Sequence, residues 1–241
     1  MLMLKKLPFL FIGFLFFAAP IARAEVLREP PANPDPTGRY MFLMFGLQTE
    51  FQGPDSYNQM YQKTYETTAL AKTFAGLGYT VIVEMRPRHT VEEDYAAKVA
   101  TQAKQLIGKG VKPSNIVVAG HSKGAVMTLV AAGLLSEPEM KYVVMAGCAL
   151  PSTTRIANVN PRQLYVGFLE KYAPKTQGKM LSVYDKEDTE FQTCQEYAKV
   201  ATKLNFTEIV VETGSTPGKG HAAFYSPDPK WMDVVRQWLG H

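Results

Sequence analysis

The sequence predicts an α/β protein in which a mostly parallel sheet of about six strands carries helices on both faces. The first observation behind this prediction is that short apolar segments alternate with helical patterns between residues 39 and 239. The second is composition, because 241 residues with 46% hydrophobic and 20% charged side chains suffice for one sizeable core. Since neither an internal repeat nor a second domain interrupts the alternation, residues 25–241 are predicted to form a single domain.

The first 24 residues differ from the rest and are typical of a secretory signal peptide. Lys5 and Lys6 supply a positive start, residues 7–19 are almost continuously apolar, and Ala22-Arg23-Ala24 is a small-x-small cleavage site. We therefore expect cleavage after Ala24 and a mature protein in the periplasm or outside the cell. An uncleaved membrane anchor is the alternative, but the apolar run is short for a span and is followed by Pro20.

Charge and cysteine content restrict the partners and cofactors. Loss of Lys5, Lys6 and Arg23 with the signal peptide lowers the formal net charge from +4 to +1, so neither nucleic acid nor an anionic membrane surface is expected. Cys148 and Cys194 are the two cysteines, and in an oxidising compartment a disulfide between them is allowed. Their spacing does not resemble a metal site, and no metal or cofactor is predicted.

The first half of the chain contains a lead-in, two strands and two helices. Residues 26–38 include four prolines and are predicted to be extended over the surface rather than to form a strand. Ser56-Tyr57-Asn58-Gln59 has the form of a capping box, which predicts a helix to about residue 75, with Tyr57, Tyr61 and Tyr65 as a packing stripe. The predicted elements are a strand at 39–45, a loop at 46–54, a helix at 56–75, a strand at 79–85 and a helix from 90 to about 108.

The second half continues the alternation. Only residues 149–177 have a weak pattern, within which 162–172 is compatible with a helix. Asp228 and Pro229 are good N-cap and first-turn residues for a final amphipathic helix. The other predicted elements are strands at 116–119, 141–145, 180–184 and 206–211, and helices at 125–135 and 189–203.

One motif with catalytic potential stands between the strand at 116–119 and the buried helix that follows. Gly120-His121-Ser122-Lys123-Gly124 fits the Gly-x-Ser-x-Gly pattern of a nucleophile elbow in the strand–turn–helix setting that the elbow requires. The turn is so sharp that a side chain two residues before or after the serine would collide with the strand or the helix. The alternative is a serine without a catalytic role in an ordinary glycine-rich turn. The strand and helix on either side favour the elbow, with Ser122 as the candidate nucleophile.

A serine nucleophile needs a base, and His221 is the histidine whose position suits that role. His121 adjoins Ser122 in the elbow, where neighbouring side chains point apart; His89 lies far upstream and His241 is the last residue. His221 lies in the loop after the last predicted strand. Since loops after parallel strands gather at one edge of a sheet, Ser122 and His221 are expected to share a rim.

The acid that would orient His221 is expected directly after the strand at 180–184. Asp185 and Asp188 are both candidates there, and Glu187 is a weaker one. The loop opens on the same edge of the sheet as Ser122. The resulting chain order is serine, acid, histidine.

The order of these residues, the elbow and the spacing resemble the α/β-hydrolase superfamily over residues 39–239, as a small, single-domain, exported member. The resemblance implies Ser122 as nucleophile, His221 as base and Asp188 as acid, because Asp185 aligns with the glycine of the family's Gly-x-x-Asp loop. It also implies an oxyanion hole made by the backbone N–H groups of Lys123 and Leu47.

Three features depart from the superfamily pattern. Phe45-Gly46 stands where many relatives have His-Gly, and the two leading antiparallel strands of larger members are missing. Lys123 replaces the more usual apolar residue after the serine. Its side chain is solvated, paired with a carboxylate, or placed to favour anionic substrates, and the sequence leaves these alternatives open.

The predicted function is a serine hydrolase that acts on an ester, an amide or a thioester through an acyl-enzyme on Ser122. The alternatives are an acyltransferase of the same mechanism and a non-catalytic binding protein on a hydrolase scaffold. The predicted partner is a small ester-type molecule, without nucleic acid and without a membrane span after signal cleavage. A phosphate-binding loop at 214–219 is excluded, because only three residues separate its glycines and Gly220 stands where a serine or threonine is needed.

Overall fold

A parallel sheet of seven strands forms the centre of the molecule within residues 25–148, 161–188, 191–214 and 220–241, the parts that the computed structural model describes. The α/β class is therefore confirmed, while the predicted signal peptide lies outside the described residues. Numbered in chain order and given in spatial order, the strands are β1 Val26–Leu27, β5 Tyr79–Ile82, β2 Arg39–Met44, β6 Ile116–His121, β7 Lys141–Met145, β8 Gln177–Asp185 and β9 Lys203–Val211.

Helices cover both faces of the sheet, as predicted. Alternate side chains of β2 enter opposite cores: Phe42 packs on one face and Leu43 on the other. The helices are α1 Gln48–Gln52, α2 Thr67–Gly76, α3 Glu92–Gly108, α4 Lys123–Leu135, α5 Pro161–Tyr172, α6 Gln195–Val200 and α7 Pro229–Leu239. Helices α3, α4, α5 and α6 cover the face of Phe42, and α2 and α7 cover the face of Leu43.

The prediction that the proline-rich lead-in forms no strand is wrong at the outer edge of the sheet. Val26 and Leu27 form a short strand that pairs in parallel with Val81 and Ile82, which raises the number of strands from the predicted six to seven. The amide of Val81 donates to Glu25 O at 2.8 Å, so this strand exists because β5 supplies unpaired edge groups. Two residues carry no periodicity by themselves, which is why the pattern missed them.

The predicted helix at 56–75 is also wrong in its first half. Tyr57–Asn58 (β3) and Lys63–Thr64 (β4) form an antiparallel hairpin, and the helix begins only at Thr67. The hydroxyl of Ser56 donates to Gly53 O instead of capping a helix. Tyr65 is fully buried while Tyr57 is about half exposed, so the tyrosines do not share one face. Contacts with distant loops override the local helical pattern here.

The helix predicted at 189–203 is shorter than expected, because α6 spans only Gln195–Val200 and β9 already begins at Lys203. Cys194 is the residue that precedes α6, and it forms a disulfide with Cys148, 46 residues earlier in the chain. The allowed disulfide is thus present. It fastens the end of the loop after β8 to the segment after β7.

Candidate active site

Ser122 lies in a strained turn between β6 and α4. Its backbone angles, φ 57° and ψ −122°, are unusual for any residue except glycine. A Cβ on Gly120 would lie 2.1 Å from Gly124 O, and a Cβ on Gly124 would lie 2.1 Å from Met44 O. Both glycines are therefore required sterically, as the elbow hypothesis expects, and the turn presents the Ser122 side chain at the carboxyl edge of the sheet.

His221 and Asp188 are in direct contact at the same edge. His221 Nδ1 is 2.9 Å from Asp188 Oδ2, and both side chains are buried. The second oxygen of Asp188 accepts the amide of Phe191 at 3.0 Å, which fixes the carboxylate. A carboxylate partner at Nδ1 places the proton of a neutral imidazole there and leaves Nε2 as its acceptor.

His221 is anchored next to Ser122 through its main chain. Its carbonyl oxygen is 3.1 Å from Nε2 of His121, the residue before the serine. Among the described residues, no hydrogen bond joins Ser122 Oγ to the His221 imidazole. Catalytic hydrogen bonds are often long without substrate and tighten only in the complex, so this geometry is compatible with a nucleophile–base pair.

Asp185, the other candidate acid, has a different set of partners. Its Oδ2 accepts the amide and hydroxyl of Thr213 at 2.8 and 2.7 Å, and its Oδ1 accepts the amide of Glu187 at 2.8 Å. Burial alone would raise its pKa, but these hydrogen bonds, with one from Gly220, outweigh burial and hold the pKa of Asp185 below its ordinary value. Asp185 therefore ties the end of β8 to the loop after β9.

The two predicted oxyanion donors are Lys123, which follows Ser122 in the chain, and Leu47. Leu47 belongs to the segment after β2, residues 45–47, which we call the oxyanion loop. A Cβ on Gly46 would lie 3.6 Å from Ser122 Oγ, so this loop adjoins the nucleophile. Within the described chain, the N–H groups of Leu47 and Lys123 donate to no other residue. Both are thus available to a ligand atom, and the amide of Lys123 belongs to the first turn of α4.

The Lys123 side chain is buried in a charged group that we call the ion cluster, formed by Glu50, Arg86, Glu92 and Lys123. Lys123 Nζ is 2.8 Å from Glu50 Oε2 and 2.6 Å from the carbonyl of Thr90, and Glu92 Oε1 lies at 3.9 Å. Arg86 Nε contacts the other oxygen of Glu50 at 3.0 Å. Of the three alternatives for Lys123, pairing with a carboxylate is the one observed.

The sequence did not predict the hydrogen bonds of two residues near the site, His121 and Tyr65. His121 was excluded as the base, yet its buried ring contacts both Tyr65 and the main chain of His221. Burial lowers the pKa of His121 well below its ordinary value, and the neighbouring His221 lowers it further. No sequence signal could have identified these contacts, because the partners are 56 and 100 residues away.

Aromatic side chains flank the imidazole of His221. The ring centroid of Phe191 is 4.4 Å away and that of Tyr61, on the hairpin, is 6.1 Å away.

Across the described ranges, no group of three or more histidine, cysteine or carboxylate side chains has an arrangement suited to a metal ion. The helices of the same ranges are too short or too polar to cross a membrane.

The fold defines the chain as an α/β-hydrolase, which confirms the resemblance found in the sequence. Residues 81–201, half of the chain, match the model of the phospholipase/carboxylesterase family. The protein belongs to that family. No curated protein matches the sequence.

Solved structures with the same fold are distant in sequence. Dipeptidyl peptidase 4 of Porphyromonas gingivalis is 19% identical with a TM-score of 0.52; the match covers 87% of this chain and 32% of the peptidase, so this chain spans about a third of that protein. Acetyl xylan esterase of Paenibacillus sp. R4 is 13% identical, with a TM-score of 0.53 and coverage of 88% and 77%. Est1E of Butyrivibrio proteoclasticus is 14% identical, with a TM-score of 0.51 and coverage of 87% and 88%. At these identities the likeness concerns the fold alone.

Proposed function

We propose that this protein is an esterase that cleaves a small carboxylic ester through an acyl-enzyme on Ser122. Membership of the phospholipase/carboxylesterase family supports an ester substrate. The observation that carries the proposal is the 2.9 Å contact between His221 Nδ1 and Asp188, at the edge of the sheet where the elbow presents Ser122. A buried histidine–carboxylate pair beside a serine elbow is the arrangement that the triad mechanism requires.

The proposed reaction has two halves. Ser122 Oγ attacks the ester carbonyl while His221 Nε2 takes its proton, and the N–H groups of Lys123 and Leu47 hold the oxyanion. The tetrahedral intermediate collapses, the C–O bond to the alcohol breaks, and His221 protonates the departing alcohol. Water then attacks the acyl-enzyme with His221 again as base, which releases the acid and restores Ser122. Asp188 keeps the imidazole in the required tautomer and stabilises the imidazolium.

The decisive experiment combines a fluorophosphonate probe with hydrolysis of p-nitrophenyl esters of graded chain length. Ser122→Ala and His221→Ala should each lose several orders of magnitude in kcat, and the double variant should lose no more, because the two residues act as one unit. The exposed residues Ser114 and His241 provide matched controls as Ser114→Ala and His241→Ala. Probe labelling that persists in Ser122→Ala would remove the nucleophile assignment.

A second experiment separates the two aspartates. Asp188→Asn should lower kcat by about 10²–10⁴ with little change in KM, since it removes the partner that fixes the tautomer of His221. Asp185→Asn should act on stability instead, because its partners are Thr213 and Glu187. If Asp185→Asn is folded but inactive while Asp188→Asn resembles the wild type, the acid has been assigned to the wrong residue.

We also propose that the mature protein begins at Glu25, acts outside the cytoplasm and consists of one domain. The Cys148–Cys194 disulfide is compatible with an oxidising compartment. Mass spectrometry of the exported protein tests the cleavage site, and an intact N-terminus would contradict it. Alkylation without reduction should find no thiol, whereas two labelled cysteines would contradict the disulfide in the exported protein.

A further inference from the structure

A chain of hydrogen bonds runs beneath the proposed active site through Tyr65 and His121, two residues with no part in the reaction just described. The amide of Gly46 donates to Tyr65 Oη at 3.1 Å. Tyr65 Oη is 2.8 Å from His121 Nδ1, and His121 Nε2 is 3.1 Å from the carbonyl oxygen of His221. We call this chain the buried relay. It connects the oxyanion loop to the main chain of the proposed base.

The chemistry of the partners fixes the direction of every hydrogen bond in the relay. A carbonyl oxygen only accepts, so His121 Nε2 carries a proton, and Nδ1 of the neutral imidazole is then an acceptor. Tyr65 therefore donates its hydroxyl proton to His121, and its oxygen accepts the amide of Gly46. This single arrangement satisfies all four groups without a surplus donor or acceptor.

The surroundings keep both side chains uncharged. Burial is the main reason why the pKa of His121 is well below its ordinary value, and burial also raises the pKa of the Tyr65 hydroxyl. The ring of His121 borders a small cavity lined by apolar side chains such as Leu43, Phe74 and Trp231. The apolar walls of this cavity offer a water molecule few hydrogen-bond partners.

We infer that His121 and Tyr65 are positioning residues that hold the oxyanion loop and His221 in a fixed relation across Ser122. The inference rests on the proposed function, since it assigns the relay a role in that reaction. Gly46 immediately precedes the predicted donor Leu47, and the carbonyl at the other end belongs to His221 itself. Loss of the relay removes one hydrogen bond from each of these two segments, and a displacement of about 1 Å at a reacting group can cost roughly 10²-fold in rate.

The smallest test removes one hydroxyl group. Tyr65→Phe takes away the partner of both Gly46 and His121 but keeps the ring that stacks on Tyr225 at 4.2 Å. We expect kcat for p-nitrophenyl acetate to fall about 10- to 100-fold with KM nearly unchanged. The matched control is Tyr142→Phe, because the buried hydroxyl of Tyr142 has no hydrogen-bond partner among the described residues. Its kcat should equal that of the wild type.

Substitutions of His121 test whether the relay acts as one unit. His121→Phe keeps a ring but removes both polar atoms, and should lower kcat as much as Tyr65→Phe or more. His121→Gln restores an N–H that can reach the His221 carbonyl, so it should recover part of the loss. In the double variant of Tyr65→Phe and His121→Phe, kcat should be close to that of the less active single variant. A loss in the double variant equal to the product of the two single losses would overturn the relay, and so would wild-type kcat in both single variants.

Ser122→Ala in the same assay distinguishes this inference from the proposed function. If Ser122→Ala keeps wild-type turnover, the proposed function fails. If Ser122→Ala is inactive while folded Tyr65→Phe has wild-type kcat, the role of the relay is overturned and the proposed function stands. Long-range ¹H–¹⁵N spectra add a direct readout: His121 should remain neutral with its proton on Nε2 near pH 7. A proton on Nδ1 would contradict the relay.

Discussion

The residues on either side of Ser122 both enter buried polar networks, but the networks differ in charge. His121 precedes the serine and belongs to the uncharged relay, whereas Lys123 follows it and belongs to the ion cluster with Glu50, Arg86 and Glu92. Both networks reach the oxyanion loop, because Gly46 donates to Tyr65 and the carbonyl of Phe45 accepts from Arg86 at 2.6 Å. One loop is thus held from two directions.

The difference lies in what each network connects and in how costly its disruption is. The relay continues to His221, so it joins two parts of the proposed catalytic apparatus. The ion cluster connects the oxyanion loop to α1, to the segment after β5, to the start of α3 and, through Lys123, to the first turn of α4, but among the described residues its hydrogen bonds and ion pairs do not reach His221. Removing one partner of a buried ion pair leaves an uncompensated charge, which costs far more than the loss of a neutral hydrogen bond. We therefore expect the cluster to affect mainly stability and the relay mainly kcat.

The largest effect should follow from removing the central anion of the cluster. The Glu50 side chain is fully buried and contacts both Arg86 and Lys123. Glu50→Gln preserves its shape but leaves two buried cations without their shared carboxylate, and should lower the free energy of unfolding by about 3–5 kcal/mol. Urea unfolding monitored by circular dichroism measures this change.

The control for this prediction is an exposed ion pair. Glu93 contacts Lys171 at 3.0 Å, with side chains that are 47% and 56% exposed. Glu93→Gln should cost no more than about 1 kcal/mol, since water screens such pairs. Equal losses in Glu50→Gln and Glu93→Gln would show that the cluster is not a special determinant of stability.

The relay should make stability depend on pH through His121. Its pKa in the folded protein is depressed below the ordinary value of 6.5, so the unfolded chain binds more protons in the interval below that value. Stability is therefore complete above about pH 6.5 and is lost as the pH falls, with a slope of up to about 1.4 kcal/mol per pH unit. His221, Tyr65 and Tyr225 are the titratable groups whose rings face His121.

Unfolding experiments on His121→Gln between about pH 5 and 7.5 test this dependence. The variant should be less stable at neutral pH but should lose less stability on acidification than the wild type. His89→Asn replaces an exposed histidine at a position with φ 62°, a value that asparagine tolerates, and should retain the wild-type slope. An unchanged slope in His121→Gln would contradict a neutral His121.

The smallest effect is expected for substrate charge. Because the Nζ of Lys123 is buried against Glu50 and Thr90, it should not contact an anionic substrate. Lys123→Met should therefore change the ratio of kcat/KM for p-nitrophenyl acetate and p-nitrophenyl hemisuccinate by less than about twofold, or about 0.4 kcal/mol. A selective loss of tenfold or more for the anionic ester would place Lys123 in the substrate site.

Local patterns were sufficient for the parts of the fold whose causes are local. The elbow was predictable because the steric requirements at Gly120 and Gly124 appear as two glycines at fixed spacing. The helix at Pro229–Leu239 was predictable because the Asp228 side chain accepts the amide of Lys230, a cap within the same segment. The prediction of a helix at 56–75 was wrong in its first half because the amide of Tyr65 donates to Ser56 O and closes a hairpin there instead.

The sequence by itself determined the α/β class, the elbow and the set of residues able to form an acid–base pair. Only the tertiary structure decided that Asp188 contacts His221 while Asp185 bonds to Thr213, and that Lys123 is paired rather than solvated. The reason is distance along the chain, since the partners of Lys123 and His121 lie 73 and 100 residues away. Side-chain types show which hydrogen bonds and ion pairs are chemically possible, but only the folded backbone brings particular partners within reach.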